Sequence, residues 1–246
     1  ALLVTRKKNE QDKDRKKSTI QDPPRDLLQS LINLYTQESL REALDQSLAL
    51  SQRYPRSAVL LNIQGAILKA LDQTSLSVEA YTKALSIKPD YAEALNNMGL
   101  ALKAQGKLGE AIEAYRKAVS IKPDYAGAYN NLGVVFKEQG KLDEAIEAYD
   151  TALAIMPDNF YAYNNLGNTL KAQGRLDEAI EAYRAALVIK SDFVDAHNNI
   201  GNVFKVQGKF EESIKAYNKA LSIKPAYAYA YNNLGVVFKE QGKLDE

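Results

Sequence analysis

The stretch "YNNLGVVFKEQGKLDE" runs from Tyr129 to Glu144 and recurs, letter for letter, from Tyr231 to Glu246. The copies stand 102 positions apart, three times 34, and the interval of 34 governs almost the whole chain. Prolines fall at Pro55, Pro89, Pro123, Pro157 and Pro225, with Ser191 at the place that would complete the series. Glycines fall at Gly65, Gly99, Gly133, Gly167, Gly201 and Gly235, and a second series at Gly106, Gly140, Gly174, Gly208 and Gly242. Self-similarity at one fixed period of this length is the signature of a stacked array of a single supersecondary unit. Counted in phase with Ala92, the units span 24–57, 58–91, 92–125, 126–159, 160–193 and 194–227, and a half unit spans 228–246. No insertion interrupts them.

Two helices are readable inside each unit. In "YAEALNNMGLALKAQG" the first is predicted to start after Asp90 as N-cap, with Glu93 completing a capping box. Gly106 ends it, because the left-handed conformation that closes a helix costs glycine little. The second, "KLGEAIEAYRKAVSIKPD", runs on until Pro123, which cannot continue a helix, and Glu113 is placed to pair with Lys117 along it. Each unit is therefore a helix–turn–helix. One such hairpin buries too little apolar surface to offset the entropy of ordering it, so neighbours must stack for any of them to fold.

Composition narrows the chemistry. The chain of 246 residues carries 32 basic and 31 acidic side chains, a formal net charge of +1 that gives no general pull toward nucleic acid or anionic membrane. It has no cysteine, which removes disulfides and thiolate chemistry, and one histidine, which removes a multi-histidine metal site. No apolar run reaches the roughly 20 residues a membrane span requires. His197 stands where other units carry Leu95, Tyr129, Tyr163 and Tyr231, and it reads as a core-facing substitute for an aromatic, not a base. Nothing assembles a nucleophile, a base and an oxyanion donor, so no enzyme activity and no cofactor or metal are expected.

The recurring small and aromatic residues carry a family resemblance. Leu95, Met98, Gly99, Leu102, Ala111, Tyr115, Ala118 and Pro123 in one unit match Tyr129, Leu132, Gly133, Phe136, Ala145, Tyr149, Ala152 and Pro157 in the next. This pattern resembles the tetratricopeptide repeat, strongly over 58–246 and weakly over 24–57. The resemblance implies an all-α fold, a right-handed superhelical solenoid of antiparallel helix hairpins. Leu31 replaces the first glycine, and Glu38 and Asp72 replace the second, so 24–57 reads as a degenerate, cap-like first repeat with its close helix packing in question. Residues 1–23, which include "RKKNEQDKDRKK", lie outside the period and read as a charged arm or helix.

On a helical wheel the first helix of a unit has two faces. Positions 3, 4, 7, 8, 10, 11 and 14 are apolar or small and turn toward the partner helix; positions 2, 5, 6, 9, 12 and 13 lie opposite. The resemblance implies that this second face lines a concave ligand groove. Position 5 holds Asn96, Asn130, Asn164, Asn198 and Asn232, and position 6 holds Asn97, Asn131, Asn165, Asn199 and Asn233. Asparagine is a mediocre helix former, so ten of them inside helices need a reason. One is structural: an asparagine of each pair, position 5 above all, binds the backbone of the adjacent repeat. The other is a ladder, because an amide offers both donors and an acceptor to an extended main chain. The position-6 series is similar to the asparagine ladder of O-linked N-acetylglucosamine transferases, which implies backbone gripping beginning near Asn97.

Other candidates share that face. Lys103, Lys137, Lys171, Lys205 and Lys239 recur at position 12, either facing acidic ligand or laying solvated stems along the groove edge. Asn168 and Asn202 stand at position 9, and Tyr161 and Tyr229 at position 2. The remaining tyrosines read mostly as core. Position 2 holds Glu93, Gly127, Tyr161, Asp195 and Tyr229, and no unit has Lys or Arg at positions 5 or 6, so the carboxylate clamp of chaperone-binding relatives is not expected.

The function expected is a non-catalytic scaffold or adaptor that binds protein or extended peptide, without nucleic acid or membrane, in the cytoplasm. One alternative is the recruiting arm of a larger enzyme, such as a glycosyltransferase, with a catalytic domain beyond residue 246. Another is self-assembly through an uncapped C-terminal end.

Overall fold

The computed structural model describes residues 22–242. Among them the regular structure is helical throughout: α1 (Arg25–Thr36), α2 (Leu40–Arg53), α3 (Ala58–Ala70), α4 (Thr74–Ile87), α5 (Ala92–Ala104), α6 (Leu108–Ile121), α7 (Ala126–Glu138), α8 (Leu142–Ile155), α9 (Phe160–Ala172), α10 (Leu176–Ile189), α11 (Val194–Val206), α12 (Phe210–Ile223) and α13 (Ala228–Glu240). The chain forms two compact units, Ala1–Lys122 and Pro123–Glu246. Within each unit consecutive helices pack on one another, and the first helix of a hairpin also touches the first helix of the hairpin before it. This is the all-α solenoid of helix hairpins that the period predicts. The charged arm expected for 1–23 lies outside the described residues except for Asp22 and Pro23.

The core follows from one size-complementary pair per hairpin. The rings of Tyr81, Tyr115, Tyr149, Tyr183 and Tyr217 are fully buried in the second helices. Each lies against the glycine of its own first helix, so closely that a Cβ at Gly65, Gly99, Gly133, Gly167 or Gly201 would fall 2.5–2.6 Å from the ring. Helix backbone and phenol therefore meet without a side chain between them. Ser77 and Ser213 add a hydrogen bond across the same contact, donating Oγ–H to the carbonyls of Gly65 and Gly201 at 2.7 and 2.8 Å.

The first hairpin solves the same problem the other way round. Leu31 takes the glycine position and Ser47 the tyrosine position, and both side chains are completely buried. A large residue and a small one have changed places, so the total volume is roughly kept, which packing tolerates best. The packing questioned for 24–57 is thus restored. Glu38 and Asp72, which replace the turn glycines, still adopt the left-handed backbone, at φ 60° and 58°. Gly106, Gly140, Gly174, Gly208 and Gly242 hold φ between 71° and 78° at the equivalent turns.

Two local expectations are corrected. Asp90 is not the N-cap of α5: Tyr91 occupies that position, no side chain caps the helix end, and Glu93 instead meets Lys122 at 3.6 Å. Side-chain caps occur at Ser57, whose Oγ accepts from the Leu60 amide, and at Asn159, whose Oδ1 accepts from the Ala162 amide. Glu113 reaches the Arg116 guanidinium at 3.5 Å, one residue short of the Lys117 partner expected. His197 is half-buried, and its Nε2 lies 3.0 Å from the carbonyl of Ser191, the residue that fills the gap in the proline series. A carbonyl can only accept, so Nε2 carries the proton.

Candidate functional site

One face of the first helices carries the residues singled out at positions 2, 5, 6, 9 and 12, with Asn96 and Asn198 at position 5 buried. The two asparagine rows turn out to be bonded to each other. Asn97 Nδ2–H donates to Asn62 Oδ1 at 3.0 Å in the first unit. In the second unit Asn165 donates to Asn130 at 3.2 Å, Asn199 to Asn164 at 2.9 Å and Asn233 to Asn198 at 3.0 Å. Asn97, Asn165, Asn199 and Asn233 thus each spend one N–H on the position-5 carbonyl of the preceding hairpin. The bracket runs between side chains, not from side chain to backbone as the sequence suggested, and it engages both rows. An asparagine amide has two N–H groups and one carbonyl, so this bond leaves the Oδ1 and the second N–H of the donor residue for other partners. Asn97, Asn131, Asn165, Asn199 and Asn233 are all half-buried.

Position 9 is also engaged from below. The hydroxyls of Tyr183 and Tyr217 donate to Asn168 Oδ1 and Asn202 Oδ1, each at 2.8 Å. Burial pushes both phenols up from their ordinary range, which keeps them protonated and donating. What these asparagines can still offer outward is their N–H groups.

At position 2 the second unit presents aromatic surface. Tyr161 is 58% exposed and stacks at a tilt on Phe160, with ring centroids 4.1 Å apart, and edge-on to Phe193 at 5.6 Å. Tyr229 is 71% exposed and lies 5.6 Å from Tyr227, whose hydroxyl donates to Asp195 Oδ1 at 2.6 Å. Rings held by other rings lose little freedom when a ligand covers them.

Position 12 closes the far edge, in the last turn of each first helix. Lys103, Lys137, Lys171 and Lys205 are half-buried along their stems, and Lys239 is exposed. The Lys171 ammonium is pushed below the ordinary lysine range, first by burial and then by the charges of Lys137 and Lys205. From position 2 to position 12 is ten residues, or about 15 Å along a helix. In the two helices that carry Tyr161 and Tyr229 the face therefore grades from aromatic, through amide, to cationic.

Two members of these rows escaped the sequence reading, although the 34-residue spacing marks both. Asn62 is the position-5 acceptor for Asn97, and Lys69 is the position-12 lysine of α3. A separate cleft of about 360 Å³ opens in the second unit among Asp150, Tyr163, Arg175 and Glu178. There burial raises the Asp150 carboxyl while Arg175 pulls it back, and the Arg175 guanidinium forks onto Glu178, with Nε donating to Oε1 at 2.7 Å. Among the described residues no three His, Cys, Asp or Glu side chains gather as a metal site, and no helix is long and apolar enough to cross a membrane.

The profile of one family, described as "TPR repeat", matches 65–106, 99–140, 135–174, 167–208 and 201–242. No curated protein matches the chain. Among solved structures, that of MamA is 30% identical and covers 67% of this chain and 96% of its own, with a TM-score of 0.61. The structure of YrrB, described as a TPR protein with an unusual peptide-binding site, is 20% identical, covering 76% and 96% at a TM-score of 0.60. PilF of Pseudomonas aeruginosa is 17% identical, covering 87% and 96% at a TM-score of 0.73. The last two are likenesses of fold.

Proposed function

As the chain belongs to the TPR repeat family, we propose that it is a non-catalytic scaffold whose first-helix face docks protein as extended peptide. The observation that carries this reading is the half-spent amide: Asn165, Asn199 and Asn233 each use one N–H within the stack and keep a carbonyl and an N–H. An extended main chain offers the complementary N–H and C=O at every residue. Amides fixed by a neighbour pay little entropy when they bind it, which is the advantage of preorganisation. The same bracket thus orders the ladder and leaves it able to grip. Tyr161 and Tyr229 supply apolar area at one edge, the N–H groups of Asn168 and Asn202 lie between, and the lysines flank the other edge. The peptide-binding site of YrrB, a TPR protein of similar fold, supports this use of the architecture.

The test is to pan a displayed random-peptide library on the whole chain and re-measure the enriched peptides on an Asn165→Ala/Asn199→Ala variant. Capture should fall about tenfold or more, while the melting temperature changes by only a few degrees. Unchanged capture, or a collapse of melting temperature with capture intact below it, would make the asparagines purely structural.

A further inference from the structure

We propose that the lysine row of the second unit selects the ligand: an extended acidic polypeptide carrying one carboxylate at every third residue. This rests on the docking reading above and names the class of partner.

The geometry supplies the spacing. Lys137, Lys171, Lys205 and Lys239 occupy the same register in the last turns of α7, α9, α11 and α13. Those helices touch in succession, and the asparagine bonds fix the step between them. Helices packed side by side stand about 8–10 Å apart. A chain in the polyproline-II conformation rises about 3.1 Å per residue with three residues per turn, so every third side chain returns to the same side after about 9 Å. A flat β-strand turns its third side chain to the opposite face. The row therefore fits carboxylates at i, i+3 and i+6 of a polyproline-like segment.

The charge pattern places the centre. None of the ion pairs among the described residues engages any of these four lysines. Glu138 and Glu240 follow the outer two, whereas Ala172 and Val206 follow Lys171 and Lys205, so the cationic field is least compensated at the inner pair. The Lys171 ammonium is depressed first by burial and then by the charges of Lys137 and Lys205, its neighbours in the row. A carboxylate set between these side chains replaces repulsion with charge-assisted hydrogen bonds. A basic residue near a helix C-terminus is favoured by the helix dipole alone. That explains a lysine in each helix, but not one face and one register in all four. Nucleic acid fits poorly: a duplex strand carries a charge about every 3.4 Å, far denser than one per hairpin.

The experiment reads the sequences of the peptides enriched on the whole chain. Acidic residues should recur with a period of three, and a Lys171→Glu/Lys205→Glu variant should capture those peptides at least tenfold more weakly. Lys171→Gln/Lys205→Gln, which sets no anion at a helix C-terminus, should also weaken capture with an unchanged melting curve. A synthetic peptide with the same number of glutamates at every fourth residue should bind several-fold more weakly than the period-three peptide. Enriched peptides without acidic bias that still depend on Asn165 and Asn199 overturn the lysine assignment and leave the docking face standing. No enrichment at all overturns both. Tighter binding of single-stranded DNA than of the acidic peptide overturns the choice of polypeptide.

Discussion

Tyr149 lies fully buried against Gly133, and a Cβ built on that glycine would fall 2.6 Å from the ring. The contact is intolerant because Tyr149 is enclosed and the ring cannot swing away. Gly133→Ala should therefore destabilise the chain by about 1–3 kcal/mol, the usual range for overpacking. Gly109 provides the control, since it is helical but a Cβ there meets nothing within 4 Å. At that position alanine removes the helix penalty of glycine, up to about 1 kcal/mol. Urea unfolding of the two variants should thus move in opposite directions, and equal destabilisation would show that the phenol is not what excludes a side chain at residue 133.

Glu38 and Asp72 hold φ 60° and 58° at turns that the other hairpins give to glycine. An L-residue pays roughly 1–2 kcal/mol for the left-handed conformation. Introducing glycine removes that strain, but it also frees the unfolded chain, which offsets part of the gain. Glu38→Gly should stabilise by about 0.5–1 kcal/mol. Asp72→Gly should gain less, because aspartate tolerates this conformation better than glutamate does. Both are measured as shifts of the denaturation midpoint, and a loss of stability at Glu38 would mean that its side chain makes a contact worth more than the strain.

The period of 34 carries the helix pairs, their turns and the two faces of each first helix, because these depend only on local propensity and on the pattern within one unit. What depends on two units at once was harder to see. The Asn199–Asn164 bond spans 35 residues, and its existence is set by the register of two helices, which a single helical wheel does not contain. The exchange of Leu31 with Ser47 was legible in principle: the two are 16 residues apart, as are Gly133 and Tyr149. Reading Leu31 alone makes the hairpin look broken; reading it with Ser47 shows it repacked. The start of α5 failed for another reason. Asp90 has the right side chain for a cap, but the chain enters the helix one residue later and leaves it unused.

Burial pushes the phenols of Tyr81, Tyr149 and Tyr183 above their ordinary range. The sign of the consequence is fixed by linkage. In the unfolded chain tyrosine ionises near pH 10, while the folded chain keeps the proton to higher pH. Above about pH 10 the unfolded state then binds fewer protons than the native state, so stability falls as pH rises. Each such phenol contributes a slope of up to about 1.4 kcal/mol per pH unit. Urea midpoints should be flat through pH 8–9 and drop steeply by pH 11. Tyr183→Phe should be less stable at pH 8, having lost its bond to Asn168, but should show a shallower alkaline slope. An unchanged slope would mean that Tyr183 ionises normally.

The bond from Asn199 to Asn164 separates stacking from ligand binding, because only one of the two residues belongs to the proposed ladder. A double-mutant cycle with Asn199→Ala and Asn164→Ala should give a coupling of about 0.5–1.5 kcal/mol in unfolding, the range for a partly buried neutral hydrogen bond. Peptide capture should follow a different rule. Asn199→Ala removes an amide that would touch the ligand, so capture falls directly. Asn164→Ala leaves that amide in place but unheld, so capture falls less, through lost preorganisation. Salt provides the second axis, since an amide bracket is insensitive to it while contacts to the lysine row weaken as it is raised. Equal losses of capture in the two single variants would assign the whole effect to the stack.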